Sequence, residues 1–171
     1  LAGGEPLLNL PLVKKVLNSV MTMPQCKGVS IQTNATLIDD GVARLLRNHA
    51  VAVGVSLDGS VDVNERQRGG TRETVLGIQT LARHGVHANI TCVVTAANAR
   101  QLADVADHAF YFGNIRGIGL DLLRAAGRAD KGTSPETSPA DPSDLIYGLN
   151  TLCARLEQLN ELLPPERHIT L

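Results

Sequence analysis

Residues 51–59 read Val51-Ala-Val-Gly-Val-Ser-Leu-Asp-Gly59. Val51 to Leu57 is a short apolar run rich in β-branched residues. It reads as a strand buried on both faces, as in a parallel sheet. At its C-terminal end a hydroxyl (Ser56), a carboxylate (Asp58) and a glycine (Gly59) arrive together. Ligands of open α/β sheets and α/β barrels sit where the strands end, so these residues occupy a favoured place for chemistry. Asp58-Gly59 equally reads as an ordinary turn.

Upstream, Gly28 to Thr33 alternates like a strand, and Asp39 or Asp40 is placed to cap a helix over 40–49. Pro11 opens a helix over 11–21 with Leu12, Val13, Val16, Leu17 and Val20 at helical spacing. Ahead of it, Leu1-Ala-Gly-Gly-Glu-Pro-Leu-Leu8 resembles the end of a strand followed by a tight turn. Downstream, 58–70 is a polar loop, longer than βα loops usually are. Thr71 is a candidate cap for a helix over 72–84, and Gly85 a candidate C-terminal cap. His87 to Thr95 is the next strand, and Asn98 a candidate cap for a helix reaching Phe112. Arg116 to Leu123 is a further strand, and 124–142 an irregular loop with Pro135, Pro139 and Pro142. A last helix over 143–160 buries Leu145, Leu149, Leu152, Leu156 and Leu159, and Pro164-Pro165 stops it.

Strands and helices alternate, which predicts a parallel sheet with crossover helices. Four strands are expected, with the edge of a fifth before Gly3. No G-x-G-x-x-G joins a strand to a helix and no G-x-x-x-x-G-K is present, so an incomplete parallel (β/α) barrel fits better than a dinucleotide-binding sheet.

The 171 residues suit one domain, and 43% hydrophobic content permits a real core. Charged residues are 19% and formal net charge is -1, so no electrostatic case for nucleic acid exists. With two Tyr, two Phe and no Trp, base-stacking platforms are also not expected. No stretch is apolar for long enough to span a bilayer. Cys26, Cys92 and Cys153 are far apart, which argues against a disulfide framework and fits a reducing cytoplasm. Their spacing suits no metal. His84 and His87 straddle a helix end and a strand start, and His49, His108 and His168 form no pattern.

Several stretches together resemble the radical S-adenosylmethionine (radical SAM) enzymes. The likeness is to the subgroup with a C-terminal SPASM extension, which includes anaerobic sulfatase-maturing enzymes and peptide maturases. The stretches are Gly3-Gly-Glu-Pro-Leu-Leu8, Ser30-Ile-Gln-Thr-Asn-Ala-Thr-Leu37 and Val53-Gly-Val-Ser-Leu-Asp-Gly59. Further along come Arg68, Val75-Leu-Gly-Ile-Gln-Thr-Leu81 with His84-Gly-Val86, and Thr91-Cys-Val-Val94. They keep the family's order and approximate spacing over about residues 1–125.

The resemblance implies a partial (β/α) barrel that binds SAM and, through ligands outside this chain, a [4Fe–4S] cluster. Reductive cleavage of SAM then gives a 5′-deoxyadenosyl radical that takes hydrogen from a peptide or protein substrate, with an electron donor as a further partner. By the resemblance, Gly3, Gly4, Glu5 and Pro6 hold the methionine ammonium of SAM. Ser56 lies near the ribose hydroxyls, Arg68 pairs with the methionine carboxylate, and Leu123 lies against the adenine. Asn34 and Asp58 sit at the same edge. Each has a plainer reading: a turn for Gly3-Gly4, a backbone-bonded hydroxyl for Ser56, a solvated charge for Arg68 with Arg66 as its rival, and core for Leu123.

The chain departs from the family at Ala35, where glycine is usual, at Ser60, where proline is common, and at Asn64-Glu65, where His-Asp precedes the arginine. The three cluster cysteines, C-x-x-x-C-x-x-C, follow the family's first strand and are expected upstream of Leu1. Residues 1–163 are therefore expected to be a truncated core barrel and 164–171 the start of a linker. Alone the chain is expected to be inactive. The rival readings are a cluster-free module binding SAM, a nucleotide or a peptide, and an ordinary (β/α) barrel enzyme.

Overall fold

The computed structural model describes residues 1–20, 22–123 and 134–171. A 3₁₀ turn (Pro6–Asn9) leads into α1 (Leu10–Val20), and then strands and helices alternate: β1 (Ser30–Thr33), α2 (Asp40–Asn48), β2 (Ala52–Ser56), α3 (Val61–Gln67), α4 (Thr71–Arg83), β3 (Ala88–Val94), α5 (Ala103–Phe112), β4 (Ile115–Leu122) and α6 (Pro142–Asn160). The four strands are parallel and lie in chain order. Each new strand is added on the same side, which is barrel winding; a doubly wound sheet would reverse at a switch point.

The sheet has two unlike faces. Ile31, Val53, Val55, Ile90, Cys92 and Val94 are buried in one core with Val42 and Leu46 of α2, Ile78 and Leu81 of α4, and Val105 of α5. The opposite face carries Gln32, Gly54, Ser56 and Thr91, all half-buried, with Asn89 exposed. The expectation that 51–57 is buried on both faces is therefore corrected. Its alternate residues Ala52, Gly54 and Ser56 are small or polar and leave the inner face open.

Both sheet edges continue by one residue. Beyond β1, the Leu1 ammonium donates to the Ser30 carbonyl at 2.6 Å, and Gln32 N–H donates to the Leu1 carbonyl at 2.9 Å. Beyond β4, Thr170 makes a parallel bridge to Gly117, with Ile118 N–H donating to the Thr170 carbonyl at 2.8 Å. Ile169 is buried, and Asn160 clamps both its N–H and its carbonyl. Ile169 finds apolar cover there, and Thr170 takes the next strand position.

The polar stretch 58–70 is not one loop. Ser60 caps α3 by accepting from Val63 N–H at 3.5 Å, and Val63 and Asn64 bury its inner side. Gly69 and Gly70, at φ of 73° and 64°, then turn the chain into α4. Thr71 is the first residue of α4, and its N–H is capped by the Glu65 carboxylate at 2.9 Å. Asp39 caps α2 at Val42 N–H, as its position suggested. Asn98 makes no capping bond; it bridges strand ends, as described below. Of the expected irregular loop 124–142, residues 124–133 lie outside the described residues, and Pro135–Thr137 is a 3₁₀ turn.

Candidate functional site

At the C-terminal ends of the strands, a cavity of about 350 Å³ is lined by Gly3, Gly4, Glu5, Gln32, Thr33, Asn34, Ser56, Arg68, Gly69 and Thr74. Six of the nine sequence candidates therefore meet around one space, although they come from four separate stretches. A second cavity of about 480 Å³ adjoins it, with Asp58, Gln67, Val93, Thr95 and Leu123 in its wall. Arg68 lines both. Pro6 alone faces elsewhere. It opens the first 3₁₀ turn and borders an apolar groove with Leu1, Leu8 and Leu12.

Glu5 uses its carboxylate on its own chain. Oε1 accepts from Leu7 N–H at 3.0 Å and from the Thr33 hydroxyl at 2.8 Å, and Oε2 accepts from Asn34 N–H at 2.7 Å. The side chain therefore staples the Gly3-Gly4 turn, at φ of 97° and 59°, to the end of β1. Asn34 is held on both sides. Its Oδ1 accepts from the Thr36 N–H and hydroxyl, and its carbonyl accepts from the Thr74 hydroxyl at 2.8 Å.

Asp58 is 1% exposed. Arg68 grips it in two places, Nε to Oδ2 at 2.6 Å and Nη2 to Oδ1 at 3.0 Å. Gln67 Nε2 adds a bond to Oδ2 at 2.9 Å, and Val93 N–H one to Oδ1 at 2.8 Å. The turn reading of this residue gives way to a buried anchor whose oxygens are occupied by the chain itself. The anchor matters for Arg68: with Nε and Nη2 committed to Asp58, Nη1 makes no hydrogen bond among the described residues and can meet a further anion. Arg66, the rival, pairs instead with Glu136 at 3.0 Å and is largely exposed. Asn98 bridges the strand ends through Nδ2, which donates to the Asp58 carbonyl at 2.8 Å and to the Val93 carbonyl at 2.9 Å.

Cys92 lies beneath this network. Burial, and next the Asp58 charge, push its thiol far above the usual range, so it stays protonated. Among the described residues no group of three His, Cys, Asp or Glu could hold a metal ion. His84 bonds to Asp40 at 2.8 Å, whereas His87 lines a cavity at the other end of the strands.

Sequence reading passed over Gln32, Gln67 and Thr74. Gln32 could have been found from period two alone. It lies two residues before Asn34 on the inner face, and it is hydrogen-bonded to Ser56.

No family model matches the chain. An uncharacterized protein of Methanocaldococcus jannaschii is 33% identical over 130 residues, 71% of this chain and 45% of that protein. The serine-type anaerobic sulfatase-maturating enzyme of Klebsiella aerogenes is 34% identical over 138 residues, 74% of this chain and 34% of that enzyme. Among solved structures, native anSMEcpe with bound AdoMet superposes with a TM-score of 0.71 at 23% identity, covering 94% of this chain and 46% of that one. Streptococcus suis SuiB bound to its precursor peptide SuiA gives 0.73 at 16% identity, covering 98% and 36%. The fold is thus a partial radical SAM barrel. By sequence the chain is a homologue of the anaerobic sulfatase-maturating enzymes, and it spans a third to a half of the length of the curated relatives it matches.

Proposed function

We propose that this chain is the SAM-binding part of a radical SAM maturase that modifies a peptide or protein. The observation that carries the reading is the single cavity shared by Gly3, Gly4, Asn34, Ser56 and Arg68. Its donor set suits the methionine end of SAM. Arg68 offers a cation to the carboxylate, the Gly3-Gly4 main chain offers acceptors to the ammonium, and Ser56 offers a hydroxyl to the ribose. The adenine extends toward the adjoining cavity and Leu123. A named relative acts in sulfatase maturation and a structural neighbour binds a precursor peptide, which supports a peptide or protein substrate.

A [4Fe–4S] cluster finds no ligand set here. Cluster iron needs thiolates, and Cys26, Cys92 and Cys153 form no group among the described residues. In this reading the cluster is held by residues other than these. The chain's own part is to bind, orient and shield the nucleoside. A reducing cytoplasm is the expected setting, and no helix among the described residues is long and apolar enough to cross a membrane.

Titration calorimetry of the full-length protein with SAM, 5′-deoxyadenosine and NAD tests the reading. SAM is expected to bind most tightly, and tighter binding of NAD overturns it. The 171-residue chain by itself is expected not to cleave SAM under anaerobic, reducing conditions.

A further inference from the structure

The inner face of the sheet carries a small polar relay across three strands. Gln32 of β1 donates from Nε2 to Ser56 Oγ of β2 at 3.1 Å, and its Oε1 accepts from the Thr91 hydroxyl of β3 at 3.3 Å. Gln32 crosses over Gly54, its register partner on β2. A Cβ at position 54 would collide with Gln32 Oε1. Gly54 is therefore the residue that lets the amide lie flat against the sheet.

The direction of these bonds has a chemical consequence. A hydroxyl has one proton and two lone pairs. Ser56 accepts from Gln32, and among the described residues its own proton has no acceptor, which leaves it for a second partner. Gln32 and Ser56 both line the cavity of about 350 Å³, so a molecule bound there is within reach of that proton. Thr91 closes the relay by donating its hydroxyl to Gln32 Oε1. We infer that Gln32 is a positioning residue that holds Ser56 as a hydrogen-bond donor toward an oxygen of the bound nucleoside. The inference rests on the functional reading above and adds to it a residue which that reading does not use.

The experiment compares Gln32→Glu with Gln32→Met in the full-length protein, with 5′-deoxyadenosine as an uncharged probe beside SAM. Glutamate has the shape of glutamine but can only accept, so it turns the Ser56 proton away from the ligand. Methionine cannot hydrogen-bond strongly and leaves the hydroxyl free to rotate. The expected order is a loss of roughly tenfold in 5′-deoxyadenosine affinity for Gln32→Glu and roughly threefold or less for Gln32→Met. In a Ser56→Ala background Gln32→Glu is expected to cost nothing further. A merely structural Gln32 gives the opposite order, because the isosteric variant is then the milder, and that result overturns the inference. A melting cycle tests the geometry separately. Gly54→Ala is expected to lower the melting temperature when Gln32 is present and to be tolerated beside Gln32→Ala; equal cost in both backgrounds overturns the relay. If the wild-type protein binds neither SAM nor 5′-deoxyadenosine, the functional reading fails, and this inference with it. If the wild type binds and the variants fall in the wrong order, only this inference fails.

Discussion

The Arg68 guanidinium lies side-on against the Asp58 carboxylate, with Nε–Oδ2 at 2.6 Å and Nη2–Oδ1 at 3.0 Å, so that the residue at the end of β2 aims the residue that follows α3. Ten positions separate them in the chain, and α3 closes the gap. Gln67 and Val93 complete the shell around Asp58. The cation that lines both cavities is thereby fixed by a carboxylate that is itself out of reach of solvent.

Removing that carboxylate is predicted to be costly. Asp58→Ala strips partners from Arg68, Gln67 and the Val93 N–H together, and is expected to destabilise the fold by about 2–4 kcal/mol in urea unfolding. Asp58→Asn retains an acceptor for Val93 and should lose less. Equal stability of Asp58→Ala and wild type would contradict the anchoring role.

Arg68→Ala separates anchoring from ligand pairing. SAM carries a carboxylate and 5′-deoxyadenosine does not. The variant is expected to weaken SAM by about 1.5–3 kcal/mol, the range of a hydrogen bond to a charged group, and 5′-deoxyadenosine much less. Calorimetry on the full-length protein reads both, and equal losses would remove Arg68 from the ligand.

Gly77 allows α4 to approach the loop after β1. A Cβ there would strike the Ala35 carbonyl, a backbone atom that cannot swing aside. Ala35 is fully buried at φ of 62°, a left-handed backbone that a side chain rarely adopts. Gly77→Ala is therefore expected to cost about 1–3 kcal/mol and, by displacing Asn34 next to it, to weaken SAM as well. Thermal melting and calorimetry on the same variant check both parts.

Glu65 makes α4 sensitive to acid. The Thr71 N–H, and next the Thr71 hydroxyl, hold its carboxyl below the ordinary value of 4.5. A carboxylate depressed in the folded state contributes stability above its unfolded pKa and loses it as pH falls through the lower folded value. The melting temperatures of wild type and Glu65→Gln should therefore differ at neutral pH and converge below that value. A constant gap from pH 3 to 7 would rule out the charge as the cause.

Thiol labelling probes the core below the site. Cys153 is exposed and Cys26 partly so, whereas Cys92 is buried and held protonated. A thiol reagent is expected to modify two of the three cysteines in the native protein and Cys92 only after denaturation. Native labelling of Cys92 would show that the sheet does not pack as described.

The kinds and order of the main elements were legible from residue patterns, because periods of two and 3.6 are local properties of the chain. Val53 and Val55 alternate with small residues, and the α4 positions Ile78 and Leu81 recur at helical spacing, whatever lies beside them. The family stretches also marked which residues gather at the strand ends. Other features depended on partners far off in sequence. Helix α3 is polar enough to pass for a loop, and its helical form rests on a Ser60 cap and on the burial of Val63 and Asn64. Asn98 had the look of a cap but bonds to Asp58, 40 residues away. Asp58 had the look of a turn until Arg68, Gln67 and Val93 closed on it. A buried polar group must find a partner, and only the folded chain decides which one is within reach. Composition and periodicity thus determined the barrel's parts and their succession, while tertiary packing chose the partners of each polar group, and with them the direction in which Arg68 and Ser56 face.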